Sequence, residues 1–257
     1  LVYYCGQAIP SAICSKSLDG GRSFVSTGAA PFAEISDVLD CGRLTGHGTV
    51  GPEGNVYLPT ACDKPYLGVS TDEGATWSVV TVSEGGTNGD HEAAVGTDAD
   101  GTVYYAWIGD DRLPYVSVSE DGGTSWSKPL AVAPRGVRET NIPALDVAPD
   151  GTVAVAYMGS TDAPPDRKDY ERATWSAYVT VTDDLLRRRP VFHTAVYGNR
   201  ADPLVMGECG PGRCLAVYDF IDVQFDSRGT VWAALVDGCR GHACTEIGEG
   251  VVGSLRF

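Results

Sequence analysis

The feature that most constrains this chain is an eight-residue pattern written three times in its first half. It reads Ser17-Leu18-Asp19-Gly20-Gly21-Arg22-Ser23-Phe24, then Ser70-Thr71-Asp72-Glu73-Gly74-Ala75-Thr76-Trp77, then Ser119-Glu120-Asp121-Gly122-Gly123-Thr124-Ser125-Trp126. The shared form is Ser-x-Asp-x-Gly-x-Ser/Thr-aromatic. An Asp carboxylate can accept from backbone N–H groups of the turn that follows it, Gly admits a left-handed backbone, and the aromatic ring plugs the seam beneath. The aspartates recur 53 and 49 residues apart, a period that holds one supersecondary unit of about four short strands.

A second element precedes each of these turns: an alternating apolar strand, a Gly turn and another strand. It runs from Gly48 to Tyr57, from Ala93 to Tyr104, from Ala144 to Val153 and from Ile221 to Trp232. Period-two alternation around Asp-Gly or a similar turn is the signature of a hairpin. The reading is therefore all-β: four-stranded units, about five of them visible, each an inner hairpin, a third strand ending in the repeated turn, and an outer strand.

On these residues the chain resembles the Asp-box, or BNR-repeat, β-propellers of the sialidase-like superfamily. The resemblance implies a propeller of four-stranded blades, with the box on the turn between third and fourth strands, facing away from the active site. Ser17, Asp19, Gly21, Ser70, Asp72, Gly74, Trp77, Ser119, Asp121, Gly123 and Trp126 are then structural. A fourth turn near Thr182-Asp183-Asp184 keeps an aspartate but lacks the Gly and the aromatic, and its unit carries an insertion from Gly159 to Arg172. The single domain, 1–257, starts and ends mid-blade. It can close as five blades by mutual completion of its ends or belong to a ring of six or seven.

Composition narrows the partners. A net charge of −15 argues against nucleic acid and anionic membrane surfaces, and no apolar run is long enough to span a bilayer. The 32 Gly and 15 Pro suit many turns and short strands. Eight cysteines fall into four couples close in sequence: Cys5 with Cys14, Cys41 with Cys62, Cys209 with Cys214 and Cys239 with Cys244. Their even number and the lack of Cys-x-x-Cys favour disulfides, hence an extracellular or periplasmic location, while connectivity stays open.

Strand direction alternates in such units, so the segments entering the inner strands share one face with the loops between second and third strands, opposite the repeated turns. Those segments deliver His47, Asp90, His91, Glu92, Arg138, Glu139, Asn141, Tyr218, Asp219 and Asp222. Carboxylates gathered round an axis need a cation or a proton. Asp90, Glu92, Glu139, Asp219 and Asp222 are thus candidate Ca²⁺ ligands, though no cofactor is required, and paired carboxylates could act as acid and base on a glycosidic bond. The family's substrate carboxylate is held by three arginines and its nucleophile is a Tyr assisted by a Glu. Here Tyr218 with Glu208, and Asp90 with Glu92, are the catalytic candidates, and His47, His91, Arg112, Arg138, Asn141, Tyr170 and Arg200 the substrate-binding ones. The family's Arg-Ile-Pro segment is replaced by Asn141-Ile142-Pro143, and no residue matches its catalytic motifs. Most aromatics of the second strands, Tyr104, Tyr105, Trp107, Tyr157 and Trp232, read as packing, whereas Tyr115, Tyr170 and Trp175 read as sugar-stacking candidates.

The expectation is a secreted propeller that binds a glycan or glycoprotein, with sialidase-like hydrolysis as the activity implied by the resemblance. The rival expectation is a non-catalytic extracellular scaffold or adhesion propeller, with Ca²⁺ as its stabiliser. Oligomeric state is open.

Overall fold

The computed structural model describes residues 1–7, 12–32, 45–87, 92–164, 173–201, 203–204, 221–237 and 249–255. Among them the regular structure is all strand, in five antiparallel sheets that follow one another along the chain. The first holds β1 (Val2–Gln7), β2 (Ala12–Ser17) and β3 (Val25–Ser26). The second holds β4 (Thr49–Val50), β5 (Val56–Ala61), β6 (Pro65–Ser70) and β7 (Ser78–Thr81). The third holds β8 (Ala94–Thr97), β9 (Val103–Ile108), β10 (Pro114–Ser119) and β11 (Leu130–Ala131). The fourth holds β12 (Glu139–Val147), β13 (Val153–Ser160), β14 (Trp175–Thr182) and β15 (His193–Tyr197). The fifth holds β16 (Asp222–Phe225), β17 (Val231–Asp237) and β18 (Glu249–Leu255). Each sheet pairs its strands in sequence order, which is the blade of a propeller, and the chain is a β-propeller of about five blades.

The core explains the sequence pattern. Each pair of successive sheets encloses its own apolar cluster, four in all: one round Cys14, Phe32 and Leu58, one round Leu67 and Tyr105, one round Val116 and Tyr157, and one round Met158, Trp175 and Ile221. A middle sheet is therefore covered on both faces, and its second strand is apolar on both. In β9, Val103, Tyr105 and Trp107 enter the seam with the second sheet while Tyr104 and Ala106 enter the seam with the fourth; all six residues of the strand are buried. Tyr157 and Tyr178 stack with ring planes 2° apart across β13 and β14. The packing reading of Tyr104, Tyr105, Trp107 and Tyr157 holds. Trp232 differs, being 40% exposed, as do Tyr4 at 67% and Ile13 at 56% on the first sheet.

The three repeated turns lie where the third strand ends, and their bonding is the same each time. The Ser17, Ser70 and Ser119 hydroxyls donate to Oδ1 of Asp19, Asp72 and Asp121 at 2.7–2.9 Å and accept from the N–H of Gly21, Gly74 and Gly123 at 2.8 Å. Each carboxylate also takes the N–H and the hydroxyl of Ser23, Thr76 or Ser125. Donation first from those hydroxyls, then from the backbone, holds Asp72 and Asp121 down at about 2, with Asp19 lowered further. Trp77 and Trp126 pack against the seams, as expected of the aromatic position, but Phe24 stays 44% exposed. At the decayed turn the aspartate survives in role: Thr182 donates to Asp184 Oδ1 at 2.8 Å, and so does the Val191 N–H.

Candidate functional site

The ends of the sheets opposite the repeated turns carry the loops between second and third strands and the segments entering the first. In the third sheet the former is a tight turn from β9 to β10, closed by the Gly109 and Arg112 N–H groups donating to the Leu113 and Gly109 carbonyls. Arg112 sits in it with φ 69°, a left-handed backbone that a long side chain rarely adopts. Its carbonyl accepts the Thr140 hydroxyl at 2.7 Å, and its Nη1 donates to Glu139 Oε2 at 2.8 Å. The turn of the third sheet is thereby tied to the inner strand of the fourth.

Glu139 is 1% exposed, so the pair is buried on the acid's side and a third exposed on the arginine's. A buried charge needs such a partner. Two residues on along extended β12, hence on the same side of the strand, stands Asn141, also 1% exposed. Among the described residues Glu139 Oε1 and Asn141 Nδ2 have no hydrogen-bond partner. Immediately beyond, the register of β12 on β13 slips between Asn141 and Ala144, and Ile142 takes φ 46°. For a β-branched residue that is a true outlier. A bulge re-aims the strand here, and backbone strain of this kind clusters at functional sites. Within four positions of β12, plus Arg112, lie a buried ion pair, an unmet acceptor, an unmet donor and two strained residues.

The other proposed site residues fall as follows. His47 is exposed, and its carbonyl accepts the Val95 N–H, bridging the second and third sheets. Its Nδ1 comes within 4.0 Å of Asp222 Oδ1, which brings the entering segments of the second and fifth sheets together. Gly48 beside it is required, because a Cβ there would lie 2.7 Å from the Tyr57 carbonyl oxygen. Glu92 is half-buried ahead of β8, and Arg138 and Arg200 are exposed. Asp90, His91, Tyr170, Glu208, Tyr218 and Asp219 lie outside the described residues, as do Cys41, Cys209, Cys214, Cys239 and Cys244. Cys5 and Cys14 face each other across β1 and β2 and are bonded, and Cys62 is also in a disulfide.

Glu139 Oε2 is engaged by Arg112, and among the described residues, which leave out Asp90 and Asp219, no group of three or more His, Cys, Asp or Glu converges. One expectation is corrected. Trp175 is not a stacking platform: at 1% exposure it lies in the seam between the fourth and fifth sheets. Tyr115 stacks on Trp107 with centroids 5.8 Å apart and donates to Asp111 Oδ2; that bond and then burial raise its phenol to about 12.

One feature was legible and missed. Ser160-Thr161-Asp162 repeats the first half of the turn motif at the start of the insertion. The Ser160 hydroxyl donates to Asp162 Oδ1, while the Thr174 N–H and hydroxyl donate to Oδ1 and Oδ2. Burial pushes this carboxyl up, but the Thr174 and Ser160 bonds and the charge of Arg200 outweigh it. The same chemistry that closes an eight-residue turn thus pins both ends of the insertion.

No family model and no curated relative matches the sequence. Among solved structures the chain is similar to the GH93 α-L-arabinofuranosidase of Fusarium graminearum in complex with arabinobiose, with TM-score 0.53 and 11% identity over 99% of this chain and 89% of that one. It is similar to the leech intramolecular trans-sialidase, with TM-score 0.52 and 14% identity over 96% and 36%. A protein of unknown function from Dyadobacter fermentans gives 0.57 and 17% over 95% and 63%. The chain spans about a third to a half of the sialidase and trans-sialidase chains it matches. At these identities the likeness is one of fold, shared with β-propeller glycosidases.

Proposed function

We propose that this chain is a secreted glycan-processing propeller, its repeated turns Asp-boxes, that binds carbohydrate at the face opposite those turns. The observation that carries the reading is the Arg112–Glu139–Asn141 cluster, where unmet hydrogen bonds and strained backbone coincide on that face. Unpaired buried polar groups are expensive in a folded chain unless something uses them. The glycosidase neighbours support the class of ligand, and the Cys5–Cys14 bond supports an oxidising compartment.

In this reading Arg112, Asn141 and Glu139 Oε1 bind the sugar, while Glu139 Oε2 fixes the guanidinium. Hydrolysis needs a second set of groups, an acid and a nucleophile or base on either side of the scissile bond. Asp90 with Glu92 and Tyr218 with Glu208 are proposed for those roles. The test is turnover of a panel of fluorogenic glycosides, sialosides and arabinofuranosides included, by the folded protein. Turnover lost in Arg112→Ala and in Tyr218→Phe is expected. Binding without turnover would move the protein to the scaffold class, and neither binding nor turnover would overturn the proposal.

A further inference from the structure

We propose that the site selects an uncharged, hydroxyl-bearing sugar and rejects an anionic one; the inference rests on the glycan reading above. It follows from hydrogen-bond inventory and charge at three side chains.

The inventory comes first. Of Glu139's two oxygens, Oε2 holds Arg112 at 2.8 Å and Oε1 has no partner among the described residues, while Asn141 Nδ2 is a donor with no partner among them. Both are carried on one side of β12, two positions apart, so this side of the strand offers one unmet acceptor and one unmet donor. A sugar hydroxyl, or a vicinal pair of them, donates one bond and accepts another and so answers both. A carboxylate can only accept. It could take the Asn141 donor but would bring a second anionic oxygen against Oε1, where like charges repel.

The charge balance points the same way. The Arg112 guanidinium, the obvious anion ligand of this cluster, is already neutralised by a carboxylate 1% exposed. The two residues before it are Asp110 and Asp111, both exposed. Position 141 is an amide rather than a second guanidinium. Bidentate recognition of a carboxylate wants an uncommitted guanidinium fork, and here one edge of the fork is spent on Glu139.

The experiment is isothermal titration of the whole chain with arabinobiose as the neutral probe and 3′-sialyllactose as the anionic one, at equal ionic strength. Arabinobiose is expected to bind at least tenfold tighter. Asn141→Ala and the near-isosteric, uncharged Asn141→Leu, each shown folded by circular dichroism, are expected to weaken arabinobiose about tenfold or more. The second variant removes the donor without emptying space, so a packing defect in the first does not decide the result. Tighter sialyllactose binding would overturn the selectivity and leave the glycan reading standing. Equal arabinobiose affinity in wild type and both variants would remove the assignment to this cluster. Binding of neither probe by folded protein would sink both proposals.

Discussion

Removing the more exposed partner of the Arg112–Glu139 pair should do more damage than removing the buried one. In Arg112→Met the aliphatic stem is kept and the guanidinium lost, so Glu139 is left as an ionised group with 2% of its side chain exposed. Breaking a buried pair this way costs about 3–5 kcal/mol. Because the arginine's side of the pair is a third open to water, some solvent can replace it, and about 2–3 kcal/mol is the reasoned figure. Glu139→Gln leaves the opposite orphan, a guanidinium that water can reach, with an amide oxygen still able to accept from it. That variant should lose about 1 kcal/mol, the net value of one hydrogen bond. The double variant Arg112→Met/Glu139→Gln should be close to Glu139→Gln alone, giving a coupling of about 2 kcal/mol. Urea denaturation followed by tryptophan fluorescence measures all three, with unchanged slopes showing that only stability has moved. If Glu139→Gln costs as much as Arg112→Met, or if the costs simply add, Glu139 is not a buried charge dependent on Arg112 and the site loses its anchor.

The remaining predictions concern the scaffold. Gly74 has φ 83° and a Cβ there would sit 2.9 Å from Thr27, so Gly74→Ala should destabilise by about 1–3 kcal/mol, seen as a lower urea midpoint. Tyr105, fully enclosed, donates toward the Thr60 and Tyr66 carbonyls at 2.8 and 2.9 Å; Tyr105→Phe should cost about 1–2 kcal/mol in the same assay. Burial raises that phenol well above its ordinary value, so the stability it confers is complete below about pH 10 and is lost as pH rises further, which alkaline melting curves will show. The turn carboxylates have the opposite sign. With Asp72 and Asp121 held at about 2, their contribution is present above about pH 3.9 and fades as pH falls toward 2; acid titration of thermal melts in wild type and in Asp121→Asn should converge at the acid end.

Much of the fold was legible because its causes are local. Each repeated turn is closed by atoms within four residues of its aspartate, so the pattern Ser-x-Asp-x-Gly-x-Ser/Thr is nearly the structure itself. The second strands were legible because a sheet covered on both faces wants apolar residues on both sides of the strand, and β9 and β13 as far as Met158 are built that way. Even the decayed turn at Thr182 could be read, since the aspartate alone preserves the hydrogen bonds. The site was legible only as a face. Which end of each sheet carries polar loops follows from strand alternation, and Arg112, Glu139 and Asn141 were all placed there. What each of them does was not. The sequence shows acidic residues gathering and invites a cation; it does not show that Arg112, 27 positions earlier in another sheet, reaches Glu139.

The backbone gives the reason this information is hidden. Where the repeated turns need left-handed residues, Gly20, Gly21, Gly74, Gly122 and Gly123 supply them without strain, Glu73 at φ 59° being the exception, and the need is visible as a repeated spacing within the chain. At the opposite face the left-handed positions are Arg112 and Ile142, residues that would be replaced by Gly if turn geometry were all that mattered. Each costs on the order of 1–3 kcal/mol to hold. Arg112 bears it with its side chain on Glu139 and its carbonyl under Thr140; Ile142 bears it at the bulge that follows Asn141. The fold therefore relieves strain with glycine at all but one left-handed position of the repeated turns and retains it on Arg112 and Ile142 where the cluster sits. A motif search reads the first kind of position and passes over the second, because a strained arginine looks like any other arginine until its partner is known. On this argument Arg112→Gly should relax the turn and abolish binding together, whereas Gly123→Arg should strain a turn and leave binding unchanged in whatever fraction folds. The reverse pairing, binding surviving Arg112→Gly, would mean that the left-handed turn and not the guanidinium is what the face requires.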